Sequence, residues 1–537
     1  MARWAFLVVA VLTLAAISII GQSAELVPFA NGSRSFGERP DRLTEREARG
    51  RDVWFNETFG GERFFSLILP RPPFDLQIGF EAILRSDRAT RFDQFGVLND
   101  PDCEAGDEST DHLDRCSDPN ATGIIGMRRF QDGPVTLYGF SCASCHAGLN
   151  PANPPQDPNH PSWENIHPTT GNQFIQIGRL FGANLSSHDP RKQVFQSWAP
   201  GTVDTTALES DHINNPGIIT QVFNLPDRPF FDVTVSGEPM RVHRAGQGGE
   251  DDAGCERAAL RVYFNIGMCA AECMLGHLDN GPGGTQTPID VEQCRRDCPD
   301  FQRAEAAVGD LCAFIDTPRV PLLQNAPGGE ALVDKTLVAQ GQRVFERTCA
   351  SCHSNGQPTP HNVFSDDLVH PAEEIGTHSC RARTTNWIAG QIWSAFSSDQ
   401  YKSRPTGGPG FYRDVPLLGI WATAPFFHNN RLGPYLGDPS VQGRVAAFEA
   451  AADQLLNPWQ RDFFGSIQKT TDWIQLSFSS GSLTLPAGTP IAFFASRNPR
   501  DPAENLCPDL FENQGHYFGW YLFPGDKRAL IEYLKTL

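Results

Sequence analysis

The chain has 537 residues, of which 40% are hydrophobic and 20% charged, and its formal net charge is −19. A chain of this length usually folds as more than one domain, so we expect two. The negative charge argues against nucleic acid as a partner, because binding to phosphates requires a basic surface. The 49 glycines and 42 prolines predict long irregular stretches.

The first 24 residues have the pattern of a secretory signal. Arg3 is followed by an apolar run from Trp4 to Ile20 and then by small residues up to Ala24. This order is typical of a signal peptide that is cleaved after Ala24, so we expect a periplasmic or secreted protein. The run is also about long enough to span a bilayer, and an uncleaved segment would attach the protein to a membrane.

Export determines how the 14 cysteines are interpreted. Four of them belong to the sequence CASCH, which occurs at residues 142–146 and again at 349–353. The remaining ten are an even number, and disulfides persist in an oxidising compartment. Cys103 and Cys116 bracket an acidic loop, and we expect them to pair.

A cysteine-rich helical hairpin is predicted at about residues 255–312. Two Cys-x-x-x-Cys pairs flank the loop DNGPGG, and residues four apart share one face of a helix. Antiparallel helices would then carry stacked disulfides, with a zinc site as the alternative. The expected pairs are Cys269–Cys298 and Cys273–Cys294. Elimination leaves Cys255 with Cys312 and Cys380 with Cys507, but the sequence does not fix the pairing of these four.

The CASCH motifs carry the chemistry. Cys-x-x-Cys-His attaches c-type haem, because two thiols one helical turn apart reach the two vinyl groups and the histidine binds the iron. A redox dithiol and half a zinc site are the alternatives. The adjacent histidine, the repetition and the export signal favour haem. The sequence therefore predicts two covalently bound haem c groups, held by Cys142, Cys145 and His146 and by Cys349, Cys352 and His353.

These motifs give the predicted architecture. We expect a mostly α-helical protein with long irregular loops, built from two cytochrome c-like haem domains and stapled by disulfides. An amphipathic helix with Leu337, Val344 and Phe345 on its apolar face leads into the second motif. The predicted segments are a signal peptide at 1–24, an N-terminal haem domain at 25–325 and a C-terminal haem domain at 326–537.

The sixth iron ligands decide what each haem can do. A haem with two protein ligands mainly transfers electrons, whereas an open or weakly held position binds oxygen or peroxide. No methionine follows the second motif, so we expect its haem to be bis-His, with His/Tyr ligation or an open position as alternatives. The candidates are His361, His370, His378, His428 and His516. Of these, His428 and His516 stand in aromatic, turn-rich sequence, and an amphipathic helix follows His516.

For the first haem, spacing does not select a distal residue. The available side chains are His160, His167, His188, His212, His243, His277, Met127 and Met240.

Several blocks resemble one protein superfamily. The two haem motifs and LLGIWATAPFFHNNRLGPYL resemble the di-haem superfamily of bacterial cytochrome c peroxidases and the methylamine-utilisation di-haem enzyme. Closer similarity is to the rubber-oxygenase-like branch, through GRDVWFNETFGGERFF, GVLNDPDC, GMRRF and a tail with GHYFG and DKRALIEYLKTL. The chain departs from the peroxidases in having no methionine after residue 274, and its cysteine hairpin is not a feature we associate with the rubber enzyme.

The resemblance implies different roles for the two haems. The first, on His146, would be the reactive haem that holds oxygen. The second would be a bis-His relay on His353 and His516, with His428 close by and contacting a propionate or an iron-binding residue rather than the iron itself. Calcium between the domains occurs in this superfamily, but no loop of this chain has a calcium-site spacing.

Further candidates lie in the second domain. Arg381, Arg383 and Arg413 flank its motifs and are candidates for binding haem propionates, with a surface role as the alternative. Trp387, Trp393 and Trp421 are candidates for assisting transfer between the haems, with core packing as the alternative.

The predicted function is an exported di-haem oxidoreductase whose first haem activates O2 or peroxide and whose second relays electrons. The alternatives are a non-catalytic electron-transfer cytochrome, which would work alone or as a subunit of a larger redox complex, and a haem-based sensor. The expected partner is a small electron-transfer protein or a small-molecule substrate, and an acidic surface would suit a basic redox protein.

Overall fold

The computed structural model describes residues 43–71, 75–204, 216–219, 221–222, 296–359, 361–366, 369–383, 410–495 and 505–537. Several sequence-based predictions lie outside these residues. They concern the signal peptide at 1–24 and the residues Cys255, Cys269, Cys273, Cys294, His212, His243, His277, Met240, Trp387 and Trp393.

Helices are spread along the described chain. The α-helices are α1 Glu45–Asn56, α2 Gly61–Arg63, α3 Phe80–Leu84, α4 Arg91–Phe95, α5 Ala143–His146, α6 Ile177–Phe181, α7 Pro190–Gln196, α8 Pro299–Ile315, α9 Lys335–Thr348, α10 Ala372–Ile375, α11 Val441–Leu456 and α12 Pro524–Leu534. A π-helical turn covers Phe64–Ile68, and short 3-10 turns cover Arg88–Thr90, Glu108–Thr110, Trp163–Asn165, Leu323–Asn325, Gly329–Leu332, Ile420–Ala422, Pro458–Gln460 and Ile491–Phe493.

The described strands form only two-stranded antiparallel pairs. They are β1 Cys103–Glu104 with β2 Arg115–Cys116, β3 Met127–Asp132 with β4 Val135–Phe140, β5 Gly148–Leu149 with β6 Ile166–His167, β7 Thr202–Val203 with β8 Gly217–Ile218, β9 Val369–Pro371 with β10 Phe411–Arg413, and β11 Ile474–Phe478 with β12 Gly481–Leu485. Helices, small ribbons and long irregular segments therefore alternate. The assignment to two haem domains stays a prediction.

Helices α1 and α8 pack together and support the first motif. Gly50 makes this close approach possible, because a Cβ there would lie 1.9 Å from the backbone oxygen of Asp310. The Arg49 guanidinium pairs with the Asp310 carboxylate at the same point. Phe301 and Leu311 of α8 are buried in a core that also contains Trp54 of α1.

Helices α9 and α12 cross closely in the second half. A Cβ on Gly341 would lie 2.0 Å from the backbone oxygen of Ala529, so glycine is needed at the crossing. Val344 and Phe345 of α9 are buried, which confirms the predicted amphipathic helix before the second motif. The predicted C-terminal helix is also confirmed, as α12.

Direct hydrogen bonds join the two halves. The backbone N–H of Ile218 donates to the carbonyl of His428 at 2.6 Å. The side chain of Asn430 donates to that of Gln173 at 3.0 Å. The loop that contains APFFHNN therefore lies against the first half of the chain.

The disulfides Cys103–Cys116 and Cys380–Cys507 are present as predicted. Cys312 is also disulfide-bonded, and its expected partner Cys255 lies outside the described residues. Cys298 caps the start of α8, and its expected partner Cys269 likewise lies outside them. Within the described ranges, no helix combines the length and the apolar character needed to cross a membrane.

Candidate functional site

The first CASCH motif is held in a single helical turn, α5. The backbone N–H of Gly171 donates to the carbonyl of His146, and that of Asn172 donates to the carbonyl of Cys145, both at 2.9 Å. Gly126 contacts the turn from the other side, because a Cβ there would lie 2.1 Å from the Ser144 nitrogen. Contacts from both sides therefore fix the orientation of the motif.

Trp54 lies beside His146, with ring centres 5.8 Å apart. Its indole Nε1–H donates to the carbonyl of Pro168 at 3.0 Å, and its ring is buried. The indole therefore packs against the imidazole that would bind the first iron. Trp54 belongs to the GRDVWFNETFGGERFF block, but sequence reasoning assigned it no role.

The described histidines proposed as distal ligands of the first haem have other contacts. His167 accepts from the backbone N–H of Thr169 through Nδ1 and therefore donates from Nε2 to the carbonyl of Arg319. Its burial lowers its pKa to about 4, which keeps the ring neutral. His160 bonds to Asp157, and His188 stacks on Trp473 with ring centres 3.6 Å apart.

The second motif continues from α9. The backbone N–H of Cys349 donates to Phe345 at 2.8 Å, and that of His353 donates to Cys349 at 3.0 Å. Residues 349–353 therefore form one helical turn, which places both thiols and the histidine at the end of a packed helix. This is the arrangement that haem attachment requires.

The thiols do not have the character of a redox dithiol. Burial raises the pKa of Cys145 to about 11 and that of Cys349 to about 12. Reactive Cys-x-x-Cys pairs have lowered pKa values because the thiolate is the reactive form. Cys145, Cys349 and Cys352 are free thiols and are available for thioether bonds.

The rings of His353 and His516 lie close together, with centres 6.3 Å apart and planes inclined by 45°. A bond between a metal and an imidazole nitrogen is about 2 Å long and the ring centre lies about 1.1 Å from that nitrogen, so two imidazoles on opposite sides of one metal have ring centres about 6.2 Å apart. The spacing of His353 and His516 fits a single iron between them.

Both rings are in the protonation state that a metal needs. Burial, followed by the neighbouring His516, lowers the pKa of His353 to about 3. Burial also lowers the pKa of His516 to about 4. A neutral imidazole has a free lone pair for iron, whereas a protonated one has none. Both Nδ1 atoms are buried without a hydrogen-bond partner among the described residues.

The loop before α12 fixes the position of His516. The backbone of His516 has a left-handed φ of 48°, and its N–H donates to the carbonyl of Ile375 at 2.7 Å. Arg461 donates from Nη1 to the carbonyls of Gly515 and Asn513, at 2.7 and 3.0 Å. The loop is therefore bonded on both sides of the imidazole.

His428 has different neighbours. Its ring stacks on Tyr412 with centres 4.5 Å apart, and the ring of His378 lies 6.4 Å away. The Tyr412 hydroxyl donates to the carbonyl of His378 at 2.5 Å, so the hydroxyl oxygen accepts from Nε2 of His428 at 3.2 Å. Burial lowers the pKa of His428 well below its usual value. Of the two favoured histidines, the structure brings His516 opposite His353.

The other predicted residues of the second domain are dispersed. Arg381 is buried, and its burial lowers its pKa, whereas electrostatic interactions with Asp204 and Tyr412 act in the opposite direction. Arg383 donates from Nε to the hydroxyl of Ser379 at 3.2 Å. Arg413 is the last residue of β10, and its side chain is not among those that the structure describes. Trp421 is buried, and its indole donates to the carbonyl of Pro321, which is the role of a core residue.

Two acidic residues that sequence reasoning missed lie beside the second motif. Oδ2 of Asp414 is 3.7 Å from Nδ1 of His353. Asp366 lies 3.3 Å from His370, and together with Cys352 these two form a group that could hold a metal ion. The same Cys352 thiol would be consumed by a thioether bond, so the two uses exclude each other.

Two buried amide oxygens lie in the APFFHNN loop. Oδ1 of Asn429 and Oδ1 of Asn430 have no hydrogen-bond partner among the described residues. Amide oxygens are ligands that calcium accepts. The calcium ion that the resemblance allows between the domains stays untested.

No protein-family model matches this chain, and a search of curated proteins gives no match either. The resemblance to the di-haem superfamily therefore rests on the sequence motifs.

Proposed function

We propose that this protein is an exported di-haem c-type oxidoreductase of the rubber-oxygenase-like and cytochrome c peroxidase-like kind. The observation that carries the proposal is the 6.3 Å spacing of the His353 and His516 rings beside a Cys-x-x-Cys-His turn. The second haem would relay electrons, and the first, on His146, would activate O2 or peroxide. Haem supplies one-electron chemistry and, where a coordination position is open, a place for oxygen to bind.

The residues of the second site suit electron transfer. His353 and His516 would both bind the iron and so exclude small ligands. Their anchoring by α9 and by the Gly515 loop would keep the site nearly unchanged between oxidation states. Burial of both rings supports this role, because it excludes water from the iron.

The residues of the first site suit a different task. His146 lies on a turn that is fixed by Gly171 and Asn172, and Trp54 packs against its ring. His160, His167 and His188 are engaged elsewhere. The resemblance to the rubber-oxygenase-like branch supports the first haem as the reactive one, because an iron with an open position is the one that binds oxygen.

The APFFHNN loop would connect the two sites. Phe427 lies 6.4 Å from the ring of His516, and the carbonyl of the next residue, His428, accepts a hydrogen bond from Ile218 of the first half. Arg381 and Arg383 stay candidates for propionate binding. The net charge of −19 would favour a basic electron-transfer protein as partner.

Optical and EPR spectra of the purified protein test the proposal, recorded as isolated and after adding CO or cyanide. We expect two haems per chain, one low-spin and inert to CO and one that binds the added ligand. Two low-spin haems that ignore CO would indicate an electron-transfer cytochrome instead. The absence of covalent haem would contradict both functions.

A further inference from the structure

A buried carboxyl group lies beside the Nδ1 atom of the histidine proposed to bind the second iron. Nδ1 of His353 has no hydrogen-bond partner among the described residues, and the same is true of Oδ1 of Asp414. The second oxygen of that carboxyl group, Oδ2, lies 3.7 Å from Nδ1 of His353. A buried polar group without a partner is costly, so an adjacent pair of such groups calls for an explanation.

Hydrogen bonds hold both the carboxyl group and the backbone of Asp414 in place. The backbone N–H of Asp366 donates to its Oδ2 at 3.1 Å, and the same N–H donates to the carbonyl of Cys352 at 2.7 Å. The Ser365 hydroxyl donates to the backbone oxygen of Asp414 at 3.2 Å. Asp414 also follows directly after β10, which pairs with β9. These contacts tie Asp414 to the chain that leaves the second motif.

We propose that Asp414 is the positioning residue of His353. In the assembled site its carboxylate accepts a hydrogen bond from Nδ1–H of the imidazole, fixes the orientation of the ring and would make Nε2 a stronger donor to iron. This inference rests on the proposed function of the second site. Histidines that bind metals commonly donate their other N–H to a carboxylate in this way, and the partner sets the tautomer and the basicity of the ring.

The present distance is consistent with this role. At 3.7 Å the two atoms are about 0.8 Å beyond the usual N–H···O distance, and such contacts often shorten when the site is fully assembled. Oδ1 of Asp414 has no hydrogen-bond partner among the described residues, so the carboxyl group can accept a further hydrogen bond. Nδ1–H of His353 is the donor that faces it.

His516 provides an internal contrast. Its Nδ1 is also buried without a partner among the described residues, but the carbonyl of the preceding residue, Gly515, accepts a hydrogen bond from the Arg461 guanidinium at 2.7 Å. One axial imidazole therefore lies beside a carboxylate and the other near a cation. His353 would accordingly be the stronger donor of the pair and would stabilise the oxidised iron.

Redox titration of the holoprotein tests the role with three variants. Asp414→Asn removes the anionic acceptor, and we expect the reduction equilibrium of the low-spin haem to shift towards the reduced state by about tenfold, which is a rise of about 59 mV. Asp414→Glu keeps the acceptor and moves the potential back towards the wild-type value. Asp526→Asn is the control. It removes a different carboxylate from the second half of the chain, one that pairs with Arg347 instead of lying beside His353. It leaves the potential unchanged.

A second measurement uses the unaltered protein and decides the question if the Asn variant fails to fold. In the reduced holoprotein labelled with ¹⁵N-histidine, we expect one of the two axial Nδ1–H protons to resonate downfield of the other and to exchange more slowly. Equal resonances in the wild type, or an unchanged potential in Asp414→Asn, would overturn the role of Asp414 while leaving a bis-His haem intact. A wild-type protein without a bis-His haem would instead contradict the proposed function itself.

Discussion

Gly515 lies so close to Gly376 that a Cβ on Gly515 would come 2.2 Å from the carbonyl carbon of Gly376. This contact sets the path of the loop that carries His516. Both glycines have left-handed φ values, of 85° and 71°. The ligand proposed for the second haem therefore depends on a close backbone contact that only glycine permits.

Gly515→Ala should displace His516. The added methyl group would clash with backbone atoms, which have no rotamers through which to move away. We expect a loss of about 1–3 kcal/mol in the free energy of unfolding and a loss of the low-spin signal of the second haem. EPR and chemical denaturation of the holoprotein measure both effects.

Gly488→Ala is the matched control. Gly488 has a φ of 86°, nearly the same as that of Gly515, but a Cβ there would meet nothing within 4 Å. It carries the same backbone strain without the clash, so the low-spin signal should survive. Equal behaviour of the two variants would show that the contact with Gly376 does not position His516.

Arg444→Met should weaken the contact between the two halves. The buried guanidinium donates to the carbonyls of Pro439, Ala422 and Leu149, at 3.2, 2.8 and 3.1 Å. Removing it leaves these oxygens unsatisfied, so we expect a loss of about 2–4 kcal/mol in the free energy of unfolding.

Urea denaturation followed by tryptophan fluorescence measures this change. The control is Arg528→Met, since Arg528 is exposed and forms only a 3.8 Å ion pair with Asp334. An exposed pair of this kind contributes roughly 0–1 kcal/mol. If Arg444→Met costs no more than Arg528→Met, the buried hydrogen bonds do not stabilise the fold as described.

The pH dependence of stability should contain a contribution from His167. Burial lowers its folded pKa to about 4, whereas the unfolded chain takes up the proton near its ordinary value of about 6.5. The unfolded state therefore binds more protons between these values. The stability associated with the neutral ring is present above pH 6.5 and is lost progressively as the pH falls towards 4.

His167→Gln should reduce this slope between pH 6.5 and 4, because glutamine does not titrate. The free energy of unfolding, measured at several pH values, checks the difference between variant and wild type. His160→Gln is the control, since His160 is exposed and bonded to Asp157. A slope that is unchanged in His167→Gln would contradict a neutral, buried His167.

The disulfide Cys380–Cys507 should stabilise the protein more than Cys103–Cys116. The sequence separations are 127 and 13 residues, and a longer loop restricts the unfolded chain more. From loop entropy we expect replacement of Cys380 and Cys507 by serine to lower the free energy of unfolding by about 4–5 kcal/mol. Replacement of Cys103 and Cys116 should lower it by about 3 kcal/mol. Denaturation of both variants gives the order, and the reverse order would contradict the entropic account.

The features predicted well from sequence are those encoded locally. The helix before the second motif followed from the spacing of Val344 and Phe345, and the last helix followed from its own apolar pattern. Cys103 and Cys116 bracket a short loop, so their pairing was also accessible.

The remaining features depend on contacts between distant parts of the chain. Asp414 is one of 63 acidic residues, and no local pattern marks it as the neighbour of His353. Trp54 is one of 10 tryptophans, and only the packing of α1 places it on His146. The resemblance implied His516 rather than His428 as the ligand, but only the folded loop around Gly515 shows that the ring of His516 lies near that of His353.

The central claim is that His353 and His516 bind one haem iron from opposite sides. EPR of the oxidised holoprotein tests it most directly, with His516→Ala compared with His428→Ala. The account predicts that His516→Ala abolishes the bis-His low-spin signal, whereas His428→Ala, whose ring lies against Tyr412, retains it. Loss of the signal in His428→Ala and its survival in His516→Ala would contradict the account.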